Sequence, residues 1–289
     1  MDSKSKLGAK ALKLLKKLDE KCVPRFAEFQ GHRTAMIHNR YNGNSGNKVI
    51  AVVWLALLAV GWPPTRAAAA TVNYQSGNRV LKAYLCIPEA NGPLPVVIFN
   101  HGGFGPHIGG APEETCRALA KAGFIGFSPI RRTEKALMSN LDDVFAAVAH
   151  VGTLPNVDAS RMAIMGFSRG ALLTILAASR HPHDFAAVVL MAPAPPRPGT
   201  EREFYRDARN ISAPVLLLVA ENDLPQYNNE HQDHVALTKT LRDRLLDAGI
   251  YARLLIYPPY RSNGHMMFFE VGDYWNDVVQ FLHEPLHVE

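Results

Sequence analysis

The sequence predicts an α/β fold, a mostly parallel central sheet covered by helices on both faces. Two observations carry this. From Thr71 to the C-terminus, short β-branched runs alternate with helical periodicities, the rhythm of strand–helix–strand units. Several of the runs are apolar throughout, as in strands buried on both faces, rather than alternating. No internal repeat or second domain interrupts the pattern, and 219 residues with one alternating rhythm suit a single core.

Leading strands are expected at about 72–75 and 80–87. Pro95 to Asn100 is a buried strand that opens into Gly102 and Gly103. A helix follows at Glu113–Lys121, a strand at Phe124–Ser128, and an amphipathic helix at Met138–His150 with Leu141, Val144, Phe145 and Val148 on one side. Met162–Met165 reads as a strand, Gly170–Ser179 as a helix and Ala186–Met191 as a strand. The proline-rich stretch Pro193–Pro198 breaks the rhythm. It resumes with strands at Val215–Ala220 and Ala252–Tyr257 and helices at Val235–Ala248 and Tyr274–His283.

The net charge of +5 divides unevenly: residues 1–70 carry +8 and residues 71–289 carry −3. A nucleic-acid binder concentrates basic charge on its folded domain, so nucleic acid is excluded as a partner. Residues 49–62 form an uncharged, mostly apolar stretch shorter than the roughly 18–20 residues that span a bilayer. It follows Lys48 and precedes Pro63, Pro64, Arg66 and the run Ala67–Ala70, which is the order of an export signal. Cleavage near Ala69 or Ala70 would begin the mature protein at about Thr71 and make it periplasmic or secreted. A membrane anchor at 49–62 is the alternative.

The basic lead, residues 1–48, is longer than a signal's n-region, and Met36 is the natural alternative start. The rival reading of the lead is a membrane-surface contact through Leu12, Leu15 and Leu18 on one helical face. Cys86 and Cys116 are expected on a strand and a helix as two buried thiols, since a domain of this size needs no staple; export would permit them to pair.

Gly166-Phe-Ser168-Arg-Gly170 fits G-x-S-x-G, a sharp strand-to-helix turn that exposes a serine hydroxyl above the sheet. The spacing alone is weak. Its setting is specific, because an apolar strand precedes it and an Ala/Leu-rich helix follows. Ser168 is therefore the candidate nucleophile, and the helix N-terminus adds positive potential beside it. Such a serine needs a base and an orienting acid on loops after later strands. The strand 215–220 runs into Glu221-Asn-Asp223 and the strand 252–257 into Asn263-Gly-His265. Asp223 is the candidate acid, with Glu221 as competitor, and His265 the candidate base.

Asn100-His-Gly-Gly103-Phe104-Gly105 lies where backbone N–H groups would meet a developing oxyanion. Arg169 N–H is expected to supply one donor and Gly103 or Phe104 the other. Among the 12 histidines, His101 is expected to support that loop rather than act as base. His181 and His183 read as exposed loop residues. His231, Asp233 and His234 lack a second group of spaced ligands, so no metal is expected. No Gly-Lys-Ser/Thr follows the glycines, so they are not a phosphate loop.

The segments Asn100-His-Gly-Gly, Val157–Gly170 and Glu221-Asn-Asp223 resemble the dienelactone-hydrolase-like branch of the α/β-hydrolases, and the likeness extends from about Thr71 to Glu289. The resemblance implies a compact α/β-hydrolase fold without a large cap domain, acting on small-molecule esters or lactones with no cofactor. The name-giving enzymes use a cysteine nucleophile, whereas position 168 is serine, which favours a general carboxylesterase. The roughly twenty residues between the strands ending at Met191 and beginning at Val215 leave room for a lip at Glu201–Ala208, not a lid. Tyr260, Met266, Phe268 and Phe269 are equally readable as pocket lining or core, and the Arg169 side chain as a guide for substrate carboxylates or as packed along its helix. Peptidase, perhydrolase and non-catalytic ligand-binding readings remain the alternatives.

Overall fold

The computed structural model describes residues 69–90, 92–103 and 107–288. The basic lead and the expected signal region as far as Ala68 lie outside the described residues. An eight-stranded sheet runs in the order β1-β2-β4-β3-β5-β6-β7-β8. Its strands are β1 (Ala70–Ser76), β2 (Arg79–Cys86), β3 (Leu94–Asn100), β4 (Ile125–Ile130), β5 (Val157–Phe167), β6 (Ala187–Met191), β7 (Val215–Ala220) and β8 (Ala252–Tyr257). β2 pairs antiparallel with both β1 and β4, and every other pairing is parallel.

The central parallel segments 95–99, 162–167, Ala187–Met191 and Val215–Ala220 are apolar because each face meets a helical layer. On β3, Val96 and Ile98 join one core while Val97 and Phe99 join the other, as the two-residue pleat requires. The first core is closed by α2 (Leu137–Val151), α3 (Arg169–Arg180), α4 (Glu201–Ala208) and α5 (His234–Asp247). The second is closed by α1 (Pro112–Lys121) and α6 (Trp275–Leu286) through Leu119, Val278, Phe281 and Leu282. Truncating a fully buried residue such as Ile164 to alanine would cost about 2–5 kcal/mol.

One expectation needs correction. Cys86, which ends β2, and Cys116, on the inward face of α1, are joined in a disulfide with a Cα–Cα distance of 5.6 Å. The thiol reading weighed domain size, but pairing follows from geometry: α1 packs over β2 and β4 and brings both fully buried cysteines into one cluster. The expected face of α2, with Leu141, Val144, Phe145 and Val148, packs on the first core and also carries a carboxylate. Asp143 on it is fully buried, where it accepts from Arg132 Nε at 2.9 Å and Ser76 Oγ at 2.7 Å. A buried carboxylate reads as a solvent-facing residue until its partner is placed.

The segment between β6 and β7 carries only the short helix α4, with Phe204 and Ala208 turned inward. No cap covers this end of the sheet among the described residues.

Candidate active site

β5 delivers Ser168 into a turn that the backbone adopts only under constraint. Its φ of 51° and ψ of −119° lie in a region that side chains strongly disfavour. The turn is held from both ends: Ser168 N–H donates to Met191 O at 2.9 Å, and Ser168 O accepts from Leu172 and Ala194 N–H. Two glycines make it sterically feasible. A Cβ on Gly166 would collide with the Gly170 carbonyl, and a Cβ on Gly170 with the Asn100 carbonyl. Asn100 also donates through Nδ2 to Thr174 Oγ1 at 3.0 Å, tying the end of β3 to α3.

Asp223 follows β7 and is fully buried, whereas Glu221 is exposed. Asp223 Oδ2 lies 2.8 Å from His265 Nδ1, and its Oδ1 accepts from Asn228 Nδ2 at 3.0 Å. His265 sits in a 3₁₀ turn, Gly264–Phe269, a refinement of the predicted loop. Asn263 caps that turn by accepting from His265 N–H at 2.9 Å. Asn222 clamps the same loop to the acid strand, accepting from Tyr260 N–H at 2.8 Å and donating to the Tyr260 and Arg261 carbonyls.

The His265 ring packs on Phe167 with centroids 4.7 Å apart, so the acid–histidine pair stands over the residue that precedes Ser168. Because Asp223 accepts only, His265 carries its proton on Nδ1 in the neutral form. Nε2 is buried and has no hydrogen-bond partner.

His101 behaves as a support. Its Nδ1 lies 2.7 Å from Gly102 O, and its Nε2 accepts from Arg131 N–H at 3.3 Å. Burial first, then the Arg131 charge, push its pKa down to about 3, against the opposing Gly102 carbonyl, so the ring stays neutral as a spacer between β4 and the glycine loop. Gly103 belongs to this loop, its carbonyl receiving Arg131 Nη2 at 3.3 Å. Phe104 lies outside the described residues.

The Arg169 guanidinium bonds Lys135 O at 2.7 Å and Asn140 Oδ1 at 3.3 Å, which anchors it against the start of α2. Phe268 is core, while Met266 and Phe269 are exposed; Tyr260 is half-buried. His181 and His183 are exposed.

The residues His231, Asp233 and His234 do not converge. His231 is exposed, Asp233 caps α5 by accepting from Ala236 N–H at 2.7 Å, and His234 is buried against His265. Asp223, His234 and His265 do bring ligand-type atoms within 4.8 Å of one another. The Asp223–His265 contact already uses two of the donor atoms, and the stacked rings present faces rather than lone pairs to each other.

A cavity of about 640 Å³ lies elsewhere, between β2 and α1, lined by Tyr84, Ile108, Glu113 and Arg117. It holds no paired nucleophile and base, so chemistry rather than volume locates the site.

A covered parallel sheet with a strained serine turn after β5 and an acid–histidine pair after β7 and β8 defines the class as α/β-hydrolase. Within that class the chain is dienelactone-hydrolase-like: the sequence model of the Dienelactone hydrolase family matches residues 130–270, a span that includes Ser168, Asp223 and His265. A protein of Escherichia coli K12, provisionally named a carboxymethylenebutenolidase, is 26% identical over 259 aligned residues, covering 78% of this chain and 91% of its own. The dienelactone hydrolase of Anabaena variabilis superposes with a TM-score of 0.57 at 21% identity, over 77% of this chain and 98% of that one. The acylaminoacyl peptidase of Pyrococcus horikoshii gives 0.61 at 15% identity, over 76% of this chain but 42% of that one. The two structural likenesses establish the shared fold.

Proposed function

We propose that this protein is a serine hydrolase cleaving carboxylic esters or lactones of small molecules through an acyl-enzyme on Ser168. The observation that carries the reading is the Ser168 turn, strained at φ 51°, at the same sheet end as the buried Asp223–His265 pair. The family match and the carboxymethylenebutenolidase-type relative support it.

In this mechanism Ser168 Oγ attacks the carbonyl carbon while its proton passes to His265 Nε2, and Asp223 stabilises the imidazolium that forms. The tetrahedral oxyanion takes hydrogen bonds from Arg169 N–H and from Gly103 or Phe104 N–H. Collapse breaks the acyl–oxygen bond, and the leaving alkoxide takes the proton from His265. Water, deprotonated by the same nitrogen, then releases the acid and returns the proton to Ser168. The anchored Arg169 side chain leaves its backbone N–H as its contribution to the chemistry.

Export is the accompanying proposal. The Cys86–Cys116 disulfide supports it, because such bonds persist in oxidising compartments. An N-terminal mass of protein recovered from its host tests it, with cleavage near Ala70 expected.

The activity test is hydrolysis of p-nitrophenyl esters from acetate to octanoate and of a small lactone series, beside Ser168→Ala and His265→Ala, with fluorophosphonate labelling in parallel. Turnover and labelling lost in Ser168→Ala is the expected result. Activity that survives this substitution would overturn the reading.

A further inference from the structure

We propose that Glu230 and His234 are positioning residues for His265: an ion pair on the acid loop whose opposite charges hold the base unprotonated at rest and stabilise its imidazolium during turnover. The inference rests on the reading of His265 as general base. Three contacts carry it. The His234 ring is stacked on His265 with centroids 4.4 Å apart and planes at 29°. Glu230 straddles the pair, with Oε2 3.4 Å from His234 Nε2 and Oε1 3.7 Å from His265 Nε2. His234 is fully buried, and both Nε2 atoms lack an aligned hydrogen-bond partner.

The hydrogen bonds on the far sides of the rings decide the proton count. His234 Nδ1 lies 2.9 Å from the Pro193 carbonyl and His265 Nδ1 2.8 Å from the Asp223 carboxylate. Both partners accept only, so both Nδ1 atoms carry hydrogen and both neutral Nε2 atoms are lone pairs. Two lone pairs and a carboxylate facing one another are three acceptors with no donor. One proton resolves the conflict, and His234 is its natural holder, since it has the closer carboxylate oxygen while His265 must keep Nε2 free to accept from Ser168.

The electrostatic surroundings agree. Burial acts to lower the His234 pKa, but the Glu230 contact, the charges of Asp223 and Glu230 and the Pro193 carbonyl together raise it. Glu230 is held low, first by its contact with His234 and against its own desolvation, then by the His265 and His234 charges. The charged or titratable groups set against His265 are thus Asp223 from the β7 end and Glu230 and His234 from the acid loop and α5; β5 presents the Phe167 ring.

Opposite charges predict opposite shifts. Glu230→Gln removes the attraction for a protonated His265, so its titration and the acid limb of kcat/KM move down by about one pH unit. His234→Phe keeps a stacked ring but removes the repelling charge, so both move up by a comparable amount. The experiment is an imidazole NMR titration of the full-length protein, with His265 assigned through His265→Gln, alongside pH–rate profiles on p-nitrophenyl acetate.

A purely structural role would lower the melting temperature without opposite displacements. Unmoved titrations, or shifts of one sign in both variants, overturn the proposal. Should His234→Phe not fold, the downward shift in the partly exposed Glu230→Gln decides it. The NMR readout is independent of catalysis: an inactive wild type that resists fluorophosphonate would sink the hydrolase reading while the titration still tests the pair.

Discussion

The nucleophile turn and the acid–histidine loops meet over one end of the sheet, yet they are held by different forces. Residues 166–170 are fixed by hard contact: two glycines whose added Cβ atoms would strike backbone carbonyls, and backbone hydrogen bonds that pin Ser168. Residues 222–234 and 260–265 are fixed by side-chain polarity. Asn222 bonds the neighbouring loop, Asn228 the acid, and Asn263 the backbone N–H of His265. The first region should tolerate polar change but not one added methyl. The second has one such hard contact, at Gly264, where an added Cβ would strike Asp223 N; elsewhere it should tolerate small volume changes but not the loss of an amide.

The largest effects test the reacting groups of both regions and the glycine contact of the first. Ser168→Ala should lower kcat/KM by about 10⁴-fold or more with little change in melting temperature, since the hydroxyl serves chemistry rather than packing. Asp223→Asn should cost about 10⁴ in kcat by disturbing the tautomer of His265. Gly170→Ala should combine both kinds of damage. Relief of the clash with the Asn100 carbonyl requires β3 and α3 to separate, at a cost of about 1–3 kcal/mol or somewhat more, and Ser168 moves with them. Calorimetry and fluorophosphonate labelling together read this variant. Normal labelling at an unchanged melting temperature would break the account of the turn.

The same contrast explains what could be read from the chain alone. Buried parallel strands announce themselves as apolar runs, and the turn at 166–170 is local, with every requirement inside five residues; both were therefore legible. Asp223 and His265 follow from the order of strands. Asn222, Glu230 and His234 do not, because their meaning depends on tertiary contacts such as Asn222 with Tyr260, 38 residues on, and His234 with Pro193, 41 residues back, that no periodicity encodes. His234 looked like one of a polar trio opening a helix, although it is fully buried. The pairing of Cys86 with Cys116 was likewise a tertiary fact, set by how α1 lies on β2. The one available signal was the density of asparagines around the acid, which is unusual beside a buried strand.

The disulfide separates stability from chemistry. Its 30-residue separation gives a chain-entropy contribution of about 3–4 kcal/mol. The Cys86→Ala/Cys116→Ala double variant should therefore melt well below the wild type while kcat/KM at low temperature stays within about twofold, because neither cysteine touches either active-site region. A large loss of kcat at a temperature where the variant is folded would show that the two sheet ends are coupled.

A smaller effect sharpens the second region. Asn222→Ala releases Tyr260 and Arg261 from the acid strand and lets His265 drift. A displacement on the order of 1 Å costs up to about 100-fold. The loss should fall on kcat, with KM nearly unchanged, since Asn222 orients the base and does not line a binding surface. A raised KM at constant kcat would place Asn222 in substrate binding instead.

The smallest effect is a pH dependence of stability. Glu230 is held below its ordinary value of 4.5, so its contribution is present above that value and is lost as pH falls through the depressed pKa. His234 is raised above 6.5, so its contribution is full below that value and is lost as pH rises through the raised pKa. The pair therefore stabilises most between about pH 4.5 and 6.5. Because the Glu230 side chain is 38% exposed, solvent screening keeps the gain below about 1 kcal/mol. The melting-temperature gap between wild type and Glu230→Gln should be widest in that window and narrow toward pH 9. A gap independent of pH would mean that Glu230 contributes packing rather than charge, and the acid loop would then resemble the nucleophile turn in being held by shape.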